Sequence, residues 1–427
     1  MKNEKIVISL VIQGFGFLFA VATVSFFTKI FTIREFGFFS YFISLITIIS
    51  IPIISSVADF SVKEISISIY SKDYPLLYSV INFCIYTVGI ISAAVLLLLF
   101  FMVILNDSLG FNDVVLIYLS VLVVSFVSIV ASIIRGLGFP VLGQVGNIII
   151  YPCIFLLVFC MGYYGEIYGA DLGYSAIIVR LIAGVVSAVI LVFILRSIWP
   201  VRPENMIIPP RRKGWVKSSF DFLVVGSLGA LGRQINILLL AWFSTFDSVA
   251  EYRIVLLGIT VFEQMSLVGT ILLQSRFAQS VLPEDSDFLK KTILKIYGLI
   301  FVISIIGLVF YFFIGKSIIS LVFGEQYIST YFPVGVVMVS QIVNLLFGPV
   351  GIFMTMKGRA SLVSKYLGLS LVLNISISLL LIEHYGVLGS ALGYVFGVFL
   401  FNILLSHTCK RDLQFDPSLV SALKKGL

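Results

Sequence analysis

Charged side chains are scarce in this chain. They make up 11% of its 427 residues, where a soluble protein carries about a quarter. With 60% of residues hydrophobic and a mean hydropathy of +1.14, that scarcity excludes a soluble globular protein. Histidine is nearly missing, with only His384 and His407, and the four cysteines, Cys84, Cys153, Cys160 and Cys409, show no Cys-x-x-Cys spacing. Neither a metal-ligand cluster nor a disulfide framework can be built from so few, so no metal and no cofactor is expected. Long polar stretches are also lacking, which leaves no room for a sizeable domain outside the bilayer. The net charge of +7 would suggest nucleic acid in a soluble protein. In a membrane protein, basic residues simply gather on the cytoplasmic side, and no nucleic-acid partner is expected.

Long apolar runs fill the chain instead. A spanning helix needs about 20 apolar residues, and such runs fall at 6–30, 36–57, 76–105, 114–134, 141–163 and 173–195, then at 222–243, 252–275, 293–314, 331–354, 361–382 and 386–406. This predicts an all-α integral membrane protein of twelve transmembrane helices in two pseudo-symmetric six-helix bundles. The bundles are residues 1–195 and 222–406, joined by a basic cytoplasmic linker over 196–221 and followed by a cytoplasmic tail over 407–427. Of the 28 Lys and Arg residues, 22 fall on the side of the two termini. Four (Lys29, Arg34, Arg253 and Lys316) fall on the other side, and Arg180 and Arg233 lie inside spans. That bias predicts that both termini are cytoplasmic.

The two halves echo each other weakly. Glu35–Tyr41, after the first span, matches Asp247–Arg253, after the seventh, and Thr47 matches Thr260. Six spans per half give the repeats the same orientation, as in transporters whose substrate site lies at the repeat interface. Enzyme signatures are missing: there is no His-Glu-x-x-His, Gly-x-Ser-x-Gly or Gly-x-Gly-x-x-Gly. Gly315-Lys316-Ser317 resembles the end of a phosphate loop, but Phe310 stands where its first glycine belongs.

Charges within spans are the candidate site residues, because an arginine or acid at mid-bilayer costs about 2.5–3.5 kcal/mol and normally faces a cavity or a partner. Arg233, halfway along the seventh span, has two readings: contact with an anionic head group through its phosphate-matching guanidinium, or an ion pair with Glu263 of the eighth span. Arg180 has the same two readings and a third, snorkelling to the interface. Glu263 is a candidate ion-pair or coupling site. Lys29 and Arg34 suit either the outer mouth of a basic path or headgroup anchors, and Arg135 suits either phosphate admission or orientation signalling. Gln13, Gln144, Asn147, Asn236 and Asn344 are polar candidates for a lumen, with helix-to-helix hydrogen bonding as the alternative. Gly389, Gly393 and Gly397 share one face of the last span and predict close helix packing.

Several of these segments together resemble the polysaccharide and O-antigen flippases of the multidrug/oligosaccharidyl-lipid/polysaccharide (MOP) exporter superfamily. The resemblance is carried by Arg34-Glu-Phe-Gly-Phe-Phe-Ser-Tyr41, Phe323-Gly-Glu-Gln-Tyr327, Lys357-Gly-Arg359, Leu373-Asn-Ile375 and Gly386-Val-Leu-Gly-Ser-Ala-Leu-Gly393, in that order. It implies two six-helix bundles that alternate in access, a cationic lumen, and no enzymatic step. The implied substrate is an undecaprenyl-diphosphate-linked oligosaccharide moved from the cytoplasmic to the periplasmic leaflet of a bacterial inner membrane. Membrane lipids, a polysaccharide polymerase and chain-length machinery are the implied partners. Two other readings compete: a cation-coupled small-molecule antiporter of the same superfamily, and a membrane polysaccharide polymerase or ligase. The second would need a large outer loop, and the longest one predicted, Gly315 to Thr330, is short and partly apolar.

Overall fold

A computed structural model describes residues 2–105, 110–168, 171–199, 214–279 and 286–426. Among them there is no strand, and the helices run as follows: α1 Lys2–Ile30, α2 Ile33–Ile53, α3 Asp59–Tyr70, α4 Tyr74–Leu105, α5 Phe111–Gly136, α6 Pro140–Val145, α7 Tyr151–Tyr164 and α8 Leu172–Ile198. The second half continues with α9 Trp215–Phe243, α10 Phe246–Gln279, α11 Ser286–Phe323, α12 Tyr331–Phe347, α13 Val350–Met356, α14 Ala360–Tyr385, α15 Val387–Leu413 and α16 Leu419–Gly426. Eleven helical runs among the described residues are long and apolar enough to cross a membrane. This is a multi-pass membrane protein. The expected eighth span, α10, is not among the eleven; it carries Asp247, Glu251, Arg253 and Glu263.

Several expected boundaries shift. Span two runs on to Tyr70, because α2 passes through a π-helical turn at Ile54–Ala58 into α3. Pro52, inside α2, lacks the N–H that an α-helix needs, and the ladder re-forms with wider spacing just after it. Span ten is broken: Gly348, at φ +70°, ends α12, and α13 starts two residues later. The predicted outer loop from Gly315 to Thr330 is not a loop, since α11 continues to Phe323 and a 3-10 turn fills Glu325–Thr330. Gly315-Lys316-Ser317 therefore lies in mid-helix, which removes the phosphate-loop likeness. Most of the basic linker, 200–213, lies outside the described residues, as does Asn106. Residues 407–413 complete α15, and α16 docks through buried Leu419 and Ala422, so this stretch is packed and not a free tail.

The chain forms two compact units, and their membership crosses the sequence midpoint. One contains residues 1–19 and 42–230; the other contains 20–41 and 231–427. Local packing explains both exchanges. In the first unit, the start of α9 is held by Trp215, whose ring lies 5.9 Å from Phe60 and 5.5 Å from Phe83, and by Ser219 Oγ, which donates to the Ser56 carbonyl at 2.8 Å. In the second, Gln326 Nε2 donates to the Thr28 carbonyl at 3.1 Å, Tyr327 packs edge-on to Phe36, and Gly37 lies directly against the Phe246 backbone.

Candidate functional site

The family-like turn after α1 is built for helix capping. Thr32 precedes α2, and Glu35 Oε2 accepts from the Thr32 N–H at 2.9 Å while the Glu35 N–H donates to Thr32 Oγ1 at 3.3 Å. This is a reciprocal capping box. Thr245 does a related job before α10, accepting from the Ser248 N–H at 3.2 Å. The first echo segment reaches the residue just before the second: Phe38 and Tyr41 both stack edge-on against Phe246, at 5.8 Å. Lys29 and Arg34 stand exposed beside this junction.

In the first unit, Gln144 on α6 and Asn147 in the π-helical turn Gly146–Ile150 are half-buried, as is Gln13 on α1. Arg180, on α8, places its guanidinium 5.6 Å above the ring of Tyr151, at the start of α7. Its Nε is buried without a hydrogen-bond partner, and among the described residues no carboxylate lies within ion-pair distance. A cation held against an aromatic face in this way keeps its charge available to an anion. Arg135 is folded back at the end of α5, donating from Nη2 to Ser132 Oγ at 2.6 Å and packing along Gly143. Glu64 went unmarked in the sequence because span two was ended too early; it is buried on α3, 3.4 Å from Lys63 Nζ.

In the second unit, Arg233 is exposed in the middle of α9. Glu263, half-buried on α10, feels the Arg233 charge, but no ion pair within 4.0 Å joins them among the described residues. Asn236, one turn along from Arg233, behaves differently. It is fully buried, donating to Tyr252 Oη at 2.9 Å and to the Ser390 carbonyl at 3.2 Å while accepting from Ser378 Oγ at 3.2 Å. A second chain runs from Asn402 Nδ2 to Asn344 Oδ1 at 2.7 Å, from Asn344 to Gln341, and from Gln341 Nε2 to Tyr394 Oη at 3.0 Å. These amides stitch α9, α10, α12, α14 and α15 together, the helix-to-helix role. Tyr252 and Tyr394, which complete both chains, were missed in the sequence. Their signal was a tyrosine inside an apolar span that also holds Asn or Gln on neighbouring spans.

No protein-family model matches the sequence, and neither does any curated protein sequence. Solved structures do match. An inward-facing multidrug resistance MATE family transporter of the MOP superfamily is 14% identical, with a TM-score of 0.71 over 96% of each chain. The chain has the fold of MOP-superfamily transporters. Lipid II flippase MurJ, in an inward closed conformation, is 11% identical at a TM-score of 0.68, covering 95% of this chain and 87% of its own. A MOP-superfamily transporter from Pyrococcus furiosus is 15% identical at 0.66, over 95% and 93%.

Proposed function

We propose that this protein is a flippase that carries undecaprenyl-diphosphate-linked oligosaccharide repeat units from the cytoplasmic to the periplasmic leaflet of a bacterial inner membrane. Arg233 carries the reading: an exposed guanidinium in mid-helix, with no ion-pair partner among the described residues. An unpaired charge at that depth is stable only where water or an anion reaches it, and a diphosphate matches guanidinium geometry. Arg180, cradled on Tyr151, is the corresponding cation of the first unit. Two six-helix halves alternate in access, no bond is made or broken, and the flipped units pass to a polymerase and its chain-length machinery.

Deleting the gene in its native host and analysing lipid-linked saccharides by mass and leaflet accessibility tests this. Complete single units held on the cytoplasmic leaflet are expected, and Arg233→Ala should reproduce the block at normal protein abundance, with Arg233→Lys partly restoring transport. Units already on the outer leaflet would overturn the reading in favour of a polymerase or ligase.

A cation-coupled small-molecule antiporter is the second reading. It is favoured by the carboxylates of Glu64, buried in the apolar run Ile33–Tyr70, and of Glu263, half-buried on α10, since such groups mark proton and ion pathways. An unaltered lipid-linked pool in the deletion strain, with drug efflux lost in Glu64→Gln or Glu263→Gln, would establish it.

A further inference from the structure

In the first unit, α4, α5 and α8 enclose a groove of about 930 Å³, at the upper end of the range in which small-molecule sites fall. Its lining is aliphatic and aromatic apart from Arg196 and the small residues Cys84, Ser125 and Ala188. Ser125 Oγ lies buried there without a hydrogen-bond partner. The groove runs from Val185 and Leu122 to Ile133 and Arg196. That is eleven residues along both α5 and α8, or about 16 Å at the helical rise. The hydrocarbon core is about 30 Å thick, so the groove is as deep as one leaflet.

Its two ends are unlike. The inner end is wholly apolar, whereas the other carries Arg196 in the last turn of α8, exposed and with no ion pair among the described residues. At the same level Trp199 Nε1 donates to Tyr78 Oη at 3.0 Å, with the rings edge-on at 6.0 Å. A Trp–Tyr pair of this kind marks the headgroup level of a membrane, which places Arg196 where lipid phosphates lie.

We infer that this groove holds one acyl chain of an anionic phospholipid from the leaflet at the Arg196 end, with its phosphate on the Arg196 guanidinium. The one-leaflet depth fits a phospholipid chain, and Arg196, the one cation lining the groove among the described residues, selects for net negative charge, as basic pockets between transmembrane helices do. The groove's own lining carries the inference, which needs no particular cargo for the protein.

The full chain is reconstituted in phosphatidylcholine vesicles with a minor share of phosphatidylglycerol, extracted, and its retained lipids counted by native mass spectrometry. The wild type should keep phosphatidylglycerol well above its share of the bilayer. Arg196→Ala should cut that enrichment about fivefold, Arg196→Lys should hold most of it, and Val189→Trp, which fills the groove from an exposed wall, should lose retained lipid of either kind. Enrichment no greater than the bilayer share, annular lipid only, would overturn the site. So would an unchanged ratio in Arg196→Ala, a variant at an exposed position that needs no repacking. Displacement of phosphatidylglycerol by an added polyisoprenyl diphosphate would reassign the groove to a transported lipid.

Discussion

Asn236 and Arg233 stand within one turn of α9 and have opposite fates, one sealed among helices and the other open. Both were legible as polar residues in an apolar run, but which of them faced a neighbour was not, because that depends on Tyr252, Ser378 and Ser390 arriving from distant spans. Asn236→Asp would set acceptor against acceptor at the Ser390 carbonyl, whereas the Tyr252 hydroxyl can turn to donate. The substitution should destabilise by about 1–3 kcal/mol, the cost of unsatisfied buried groups, read as a lower melting temperature of the purified protein. Asp416, after α15, answers to pH. Burial raises its pKa, but the bonds from Ser418 and Lys410 outweigh burial and leave it below the ordinary 3.8. A carboxyl depressed in the folded state stabilises at every pH above the unfolded value and loses that contribution as pH falls through the folded one. Wild type should therefore keep the increment down to about pH 4 and lose it below. Asp416→Asn should lack it already at neutral pH, so the melting curves of the two converge only in strong acid.

At the level of elements, the Gly389, Gly393 and Gly397 stripe was readable as packing, and it is. A methyl group on Gly393 would run into Ser378 Oγ and the Asn374 carbonyl, and one on Gly389 into the Leu381 backbone, all on α14. Gly393→Val should destabilise by about 1–3 kcal/mol or more, since backbone cannot yield as a side chain can. The test is heat-induced loss of the monodisperse peak in detergent. Gly348 was not legible: span ten was expected unbroken over 331–354, and only the fold shows that Gly348 takes a positive φ and that its missing side chain leaves room for the Pro417 carbonyl. Gly348→Ala should loosen the segment ahead of α16, and protease nicking near Pro417 would report it. Two of the failed expectations share one cause. Apolar runs say where a helix is buried in lipid, not where it stops, so α3 and the end of α11 were taken for loops.

For the whole molecule, an all-helical membrane fold was written in composition and spacing, although twelve spans were expected and eleven helical runs among the described residues are apolar enough to cross; cargo was not, because recognition is spread over single side chains on many helices. The charge bias makes the topology testable. In a cysteine-free background, Ser71→Cys, in the turn before α4, should react only from the cytoplasmic side, and Ser329→Cys, before α12, only from the outer side. The opposite pattern would reverse the orientation. The exchange of segments between the two units also bears on how the protein is made. Thr28 and Gln326 are 298 residues apart, and at about 5–20 residues per second the ribosome needs on the order of 15–60 seconds to cover that distance. For that interval the α1–α2 hairpin waits in the membrane for the chain that will clasp it, so the length of its exposure to insertion factors and proteases is set by the rate of translation.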